Sequence, residues 1–312
     1  MDFSIPSVYE PYLKVGTCSW KYDSWQGLIY PDQGISTADD YLPFYARHFT
    51  TVEVDQWFWS LFPAGVKLPD PGTVKMYEAQ VGENFEFTIK VPNALTLTHF
   101  YKRQSKRYSS FAGKPNESFL NVDLCQRFLD IISPLGNKIG PLMFQFEYLN
   151  KSKMPSLKAF LDKLHEFFTA LPTTYRYAIE TRNPNYLKAS FFDFLREHNL
   201  GFVFLEGYYM PPLSKVFAAY DTETADFSVI RLHGPDRQKI EEKTDKIWNN
   251  IVQPQDHRIQ AAVEIVQNNF QEKRKTYVNV NNHFEGSAPL TIKRFLDVLV
   301  SPDPFSHGIV DE

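Results

Sequence analysis

Cysteine is nearly absent from this chain: its 312 residues hold two, Cys18 and Cys125. A disulfide-stapled miniature is thereby excluded. Charge of one sign is not in excess either. The net charge is -4, so no strong overall field draws the chain to nucleic acid or to an anionic membrane. No uncharged run reaches the roughly 18 residues needed to cross a bilayer. The first residues, MDFSIPSVYEPYLK, lack the basic start and apolar core of a signal peptide, and a cytoplasmic protein is the expectation. Phosphate-binding signatures are missing as well. No G-x-G-x-x-G follows the first apolar strand, whose end reads Gly16-Thr17-Cys18-Ser19-Trp20. No G-x-x-x-x-G-K followed by Ser or Thr occurs, which argues against an NTPase.

Apolar residues, in contrast, make up 43% of the chain and aromatics 16%, against 22% charged. A disordered chain could not bury that much apolar surface. Eight short segments read as strands: 13–19, 51–55, 85–91, 141–147, 175–181, 201–206, 227–233 and 276–281. Runs such as Phe202-Val203-Phe204-Leu205 and Leu142-Met143-Phe144 are continuous rather than alternating. Strands buried on both faces look like this, as in a parallel sheet covered by helices.

Helical patterns lie between them. Leu157, Phe160, Leu161, Leu164, Phe167, Phe168 and Leu171 form one stripe at helical period. Phe191 to Leu195 and Ala261 to Val266 suggest further helices. A last one is signalled by Ser287 as cap and Pro289 in the first turn, then Leu290, Ile292, Phe295, Leu296 and Leu299. Strand and helix alternate, so the class is α/β. Eight units in this length predict a (β/α)8 TIM barrel, with a doubly wound sheet as the alternative. No linker or low-complexity tract appears. One domain over residues 1–312 is expected, with its core at about 13–300. Two long loops, 100–117 after the third strand and 234–254 after the seventh, would lie on the active face.

In such a barrel, function comes from the C-terminal ends of strands. Those ends are heavily polar here. Charged groups inside apolar strands are costly unless paired or solvated by a ligand. Glu53 stands between Val52 and Val54, Glu180 after Ile179, and Arg231 between Ile230 and Leu232. Glu53, Lys90, Glu180 and Arg231 are expected to form an ion-pair network at a pocket floor. The alternative is that this network only closes the barrel top.

These motifs, taken in order, resemble the YecE-like family, also known as domain of unknown function 72. The stretches are Val15 to Trp20 with Trp25, Gly27, Tyr30 and Pro31; Tyr45-Ala46 with Phe49 and Val52-Glu53-Val54; Phe87 to Lys90 with Thr98-His99; Leu135-Gly136 with Gly140-Pro141-Leu142 and Phe144-Gln145; Ala178 to Arg182; Arg231 to Gly234; and Asn281-Asn282 with Gly286 and Ala288-Pro289. The resemblance implies a TIM barrel and leaves the reaction open. The chain departs from the pattern at Cys18, where a small or hydroxyl residue is usual. It departs also at Asp55, where Asn is common, and at Glu206-Gly207, where Asp is.

The residues themselves point to acid–base chemistry, of a hydrolase or related kind, on a small polar or anionic substrate, phosphate-bearing ones included. Glu53, Glu180 and His233 are the candidates for proton transfer. Lys90, Arg182 and Arg231 would stabilise an anion. Gln145, Asn281 and Asn282 would orient the substrate, with Trp20 and His99 beside it. No cofactor is signalled by a motif. A divalent metal could be drawn from Glu53, Glu180, His99 and His233, although no H-E-x-x-H is present. Cys18 reads as a small filler rather than a nucleophile. The basic stretch Lys102-Arg103-Gln104-Ser105-Lys106-Arg107 motivates a rival reading, a non-catalytic module that holds a metabolite or nucleic acid in the same cleft.

Overall fold

The computed structural model describes residues 1–301, and the end of the expected domain, residues 302–312, lies outside the described residues. Ten strands and nine α-helices are described. In chain order they are β1 (Leu13–Cys18), α1 (Tyr41–Tyr45), β2 (Thr51–Val54), β3 (Leu61–Phe62), β4 (Gly65–Val66), α2 (Pro71–Gln80), β5 (Glu86–Lys90), α3 (Val122–Ile132), β6 (Ile139–Gln145), α4 (Leu157–Thr169), β7 (Tyr177–Glu180), α5 (Ala189–Glu197), β8 (Gly201–Gly207), α6 (Leu213–Ala219), β9 (Phe227–Gly234), α7 (Arg237–Thr244), α8 (Asp256–Gln271), β10 (Lys275–Val280) and α9 (Ala288–Val300). β1, β2 and β5 to β10 close into a barrel in the order β1-β10-β9-β8-β7-β6-β5-β2, and every neighbouring pair is parallel. The eight strands read from the apolar runs are these eight, with ends shifted by a residue or two. The doubly wound alternative falls, because an open sheet would leave β1 and β2 unpaired at an edge.

Three local features differ from the sequence reading. The short antiparallel hairpin β3–β4 was not anticipated, since two-residue strands leave no periodicity to read. The stretch 234–254 is not loop throughout. It contains α7, capped by the Asp236 carboxylate, which accepts the Lys239 N–H at 3.1 Å. That helix buries only Ile240 and Thr244, so it carries no apolar stripe. Ser287 occupies the N-cap position of α9, but its buried hydroxyl has no partner. The Asn282 side chain caps instead, accepting the Ala288 N–H at 2.9 Å.

The main apolar core lies between the strands and the helix ring. A second cluster, Met143, Ala178, Val203, Phe227, Val229 and Tyr277, fills the barrel interior. Polar layers lie at both ends of that plug. Toward the strand N-termini, Glu86 accepts from the Tyr277 hydroxyl at 2.5 Å and pairs with Lys14, Arg176 and Lys275. Toward the C-termini lies the Arg231 layer described below.

The seam between β1 and β2 is closed by a side chain from α1. The Tyr45 hydroxyl takes the Thr17 N–H at 2.7 Å and donates to the Thr51 carbonyl at 3.0 Å, standing in for a direct ladder bond. Gly16 makes the insertion possible: a Cβ there would lie 1.8 Å from the Thr51 oxygen and 2.8 Å from the Tyr45 hydroxyl. Tyr45→Phe should therefore strand two buried backbone groups, at about 1–3 kcal/mol each. Urea unfolding will test this, with a lowered midpoint expected. An unchanged midpoint would mean that the strands can close without the hydroxyl.

Candidate active site

Strand alternation sends Cys18, Glu53, Asp55, Lys90, Gln145, Glu180, Arg182, Arg231, His233 and Asn281 toward the barrel axis at its C-terminal end. Arg231 is the centre of this set and is 1% exposed. Its Nε and Nη2 donate to the two Glu53 oxygens at 2.8 and 2.6 Å. Its Nη1 donates to Glu180 Oε2 and, at 3.2 Å, to Gln145 Oε1. Arg182 Nε donates to the other Glu180 oxygen at 2.6 Å. Two carboxylates and an amide thus take four of the five N–H groups of one buried guanidinium, a geometry that offsets the large desolvation cost of the charges.

Above this floor opens a cleft of about 310 Å³, lined among others by Cys18, Asp55, Phe58, Lys90, Arg182 and His233. The His233 Nε2 lies 3.6 Å from the Cys18 sulfur, and its Nδ1 lies 3.2 Å from the Tyr208 hydroxyl. The Arg182 guanidinium lies 4.1 Å from the centre of the Tyr208 ring. Lys90 stands over the Phe58 ring at 3.9 Å and has no hydrogen-bond or ion-pair partner among the described residues. The two terminal nitrogens of Arg182 likewise carry no hydrogen bond among them.

Seven of the expected site residues line the cleft: Glu53, Lys90, Gln145, Arg182, Arg231, His233 and Asn281. Glu180 is fully buried in its floor. Trp20, His99 and Asn282 lie elsewhere. Trp20 is buried edge-on against Tyr77. The His99 Nδ1 sits 3.0 Å from its neighbour Thr98, on the extended stretch after β5. Asn282 is buried at the α9 cap, on the short 3-10 helix Asn282–Phe284 into which the chain turns after β10. Glu206 also faces outward, where it accepts the Leu213 N–H at 2.9 Å and pairs with Arg258. The basic residues Lys102, Arg103, Lys106 and Arg107 are exposed and do not line the cleft. Two lining residues had no signal in the sequence. Tyr208 follows the last residue of β8 with a positive φ of 54°, and Arg237 comes from the unanticipated α7.

The family described as "Protein of unknown function DUF72" matches residues 14–306. The chain belongs to this family. The UPF0759 protein YecE of Escherichia coli K12 is 27% identical over 173 residues, covering 55% of this chain and 49% of that protein. The YecE of Escherichia coli O157:H7 matches identically. The chain therefore spans about half the length of the curated relatives it matches. The crystal structure of a DUF72 family protein from Thermotoga maritima MSB8 superposes with a TM-score of 0.62 at 19% identity, covering 93% of this chain and all of that one. A DUF72 family protein from Enterococcus faecalis V583 gives 0.61 at 19% identity, covering 92% of this chain and 95% of that one. These likenesses establish the shared barrel and carry no statement about activity.

Within this DUF72 barrel the floor sets the charge state of its neighbours. Burial, then the positive charges of Arg231, Arg182 and Lys90, hold the His233 imidazole well below its usual range, so it is neutral. Burial, then the Glu53 carboxylate, push the Cys18 thiol well up, so it stays protonated and donates to Glu53 Oε2 at 3.3 Å. Burial works against charge on Glu180, but Arg182 and Arg231 overcome it and hold the carboxyl at about 2. Burial, then Glu53, raise Asp55.

Cys18, Glu53 and His233 present ligand atoms within 4.8 Å of one another, a soft mixed set of the kind zinc accepts. Both Glu53 oxygens already accept from Arg231, which opposes such use. Glu180 and His99, expected as further ligands, are not part of that group.

Two outcomes follow for this site. Arg231→Met should cost about 3–5 kcal/mol in chemical denaturation, because it leaves the buried Glu53 carboxylate without a cation and Glu180 with Arg182 alone. A loss under about 1 kcal/mol would show that the carboxylates are solvated. The second concerns acid. The folded pKa of His233 lies below its unfolded value of 6.5, so the unfolded chain takes the proton first and stability falls as pH drops below about 6.5. The contribution of Glu180 is complete above about 4.5 and is lost as pH falls toward about 2. Imidazole NMR titration should place the His233 midpoint well under 6.5; a midpoint at or above that value contradicts the geometry.

Proposed function

We propose that this DUF72 barrel is an enzyme that holds a small anionic substrate in the rim cleft and performs acid–base chemistry on it. One observation carries the reading. Lys90 and the terminal nitrogens of Arg182 are nitrogen donors without an acceptor among the described residues, and they share a cleft with a neutral imidazole. Buried or half-buried donors left open in this way are complementary to an anion. Catalytic clefts are also where buried groups with displaced pKa values gather.

The roles differ from those the sequence assigned. Four of the five Arg231 N–H groups are committed to Glu53, Glu180 and Gln145, so anion binding rests mainly on Lys90 and Arg182. Glu53 and Glu180 spend their charge on Arg231 and act as scaffold. Proton transfer falls to His233, whose Nδ1 meets the Tyr208 hydroxyl. The cleft volume suits a metabolite of a few heavy atoms rather than a polymer. The rival reading, a nucleic-acid or metabolite carrier built on the basic stretch, finds less support, because those side chains point to solvent away from the cleft.

Calorimetric titration with inorganic phosphate and with succinate tests the anion reading. Arg182→Met and Lys90→Met should each weaken binding at least about tenfold, equivalent to about 1.4 kcal/mol. Alanine at Lys102, Arg103, Lys106 and Arg107 together should leave binding unchanged. Loss of binding in that quadruple variant, or no binding to the wild type, would reject the assignment.

A further inference from the structure

We propose that Lys90 is a Schiff-base nucleophile and that the substrate class is a small 2-oxo acid. The inference rests on the anion-cleft reading above and names what reacts there. Lys90 closes β5, and 8% of its surface is exposed. An ammonium has three N–H donors, and none of them finds an acceptor among the described residues. Leaving a charged donor so buried is expensive; a neutral amine in the same place is not. The Phe58 ring, 3.9 Å away, favours the charged form. Burial, then the nearby Arg231 charge, act the other way, and the net direction is downward. Desolvation beside a second cation is the way lysine amines are made nucleophilic.

The surroundings supply the rest of a 2-oxo acid site. Arg182 is held at Nε by Glu180 and stacked on Tyr208, which leaves its planar fork for a carboxylate. Gln145 spends its carbonyl oxygen on Arg231, and its amide nitrogen has no hydrogen bond among the described residues, so it can donate to a substrate oxygen. His233 and Tyr208 form a proton-exchanging pair on the same cleft.

The step balances without an oxidant or reductant. The Lys90 nitrogen lone pair attacks the ketone carbon, and the carbonyl π pair moves to oxygen. A proton passes from nitrogen to that oxygen, giving a carbinolamine. A second proton on the hydroxyl, delivered from the Tyr208–His233 pair, lets it leave as water, while nitrogen supplies the electrons of the new C=N bond. Loss of the remaining N–H proton returns that pair to its starting state. The products are an imine and one water.

The full chain should be treated with pyruvate and sodium cyanoborohydride, which reduces the imine to a stable secondary amine, and the adduct located by peptide mass mapping. Labelling at Lys90 at least tenfold above any other lysine is expected, with none at that position in Lys90→Arg and less in Arg182→Met. Lactate, which keeps the carboxylate and lacks the ketone, should compete. Because the wild-type map locates the adduct directly, the test does not depend on a variant folding. Labelling spread over surface lysines, or none at Lys90, overturns the proposal. Calorimetry with lactate separates the two readings. Lactate binding without a Lys90 adduct sinks the Schiff base and leaves the anion cleft standing; absence of both lactate binding and adduct sinks both.

Discussion

A single buried guanidinium organises this barrel. Arg231 could not sit in the interior without acceptors, since an unpaired charge there costs several kcal/mol. Glu53 and Glu180 supply them from β2 and β7, three strands apart on the ring, and Gln145 takes one further N–H. Pairing fixes the guanidinium at the base of the cleft. The neutral state of His233 and the lowered pKa of Lys90 follow first from burial and then from the Arg231 charge, which at Lys90 is opposed by Glu53 and Glu180. The scaffold's charge is spent internally, and its effect is exerted on groups that keep free lone pairs.

The two ends of the barrel use the same device with opposite sign. At the N-terminal end the hub is a carboxylate, Glu86, ringed by Lys14, Arg176, Lys275 and the Tyr277 hydroxyl. The apolar plug lies between the hubs. What separates the ends is commitment. Each cation around Glu86 has that carboxylate as its partner, so the cluster closes the barrel. At the C-terminal end Lys90 and the outer nitrogens of Arg182 have no acceptor among the described residues, and they face the cleft.

The fold was legible because burial on both faces writes continuous apolar runs, and eight of them with helical patterns between leave few architectures. Inward placement of Glu53, Glu180, Arg231 and His233 was also legible, because alternation along a strand fixes facing. Their pairing was not. Arg231 meets Glu53 across 178 positions of sequence and Glu180 across 51. Which donor is consumed and which stays free depends on distances across a closed ring, and no local pattern encodes them. Asn282 shows the limit from the other side. It adjoins an inward residue and looks equivalent to it, yet the chain has left β10 at Val280 and turns there into a short 3-10 helix, where Asn282 takes the cap that Ser287 was expected to provide.

Tyr208 was illegible for a different reason. It lies where the backbone leaves the strand period altogether. Gly207 has a φ of 131°, and a Cβ there would lie 2.2 Å from the Gly234 oxygen. Gly234 has a φ of 82°, and a Cβ on it would lie 2.4 Å from the His283 oxygen. These two glycines let the ends of β8 and β9 and the turn carrying His283 converge more closely than any other residue allows. The positive φ values of Tyr208 and Tyr209 extend that course. The result is a phenol brought back over the rim, against Arg182 on one side and His233 on the other. The Glu206-Gly207 step, where the chain departs from the family pattern, thus exchanges an acid at the strand end for backbone freedom. With Glu206 turned outward, what that strand delivers to the cleft is the Tyr208 hydroxyl.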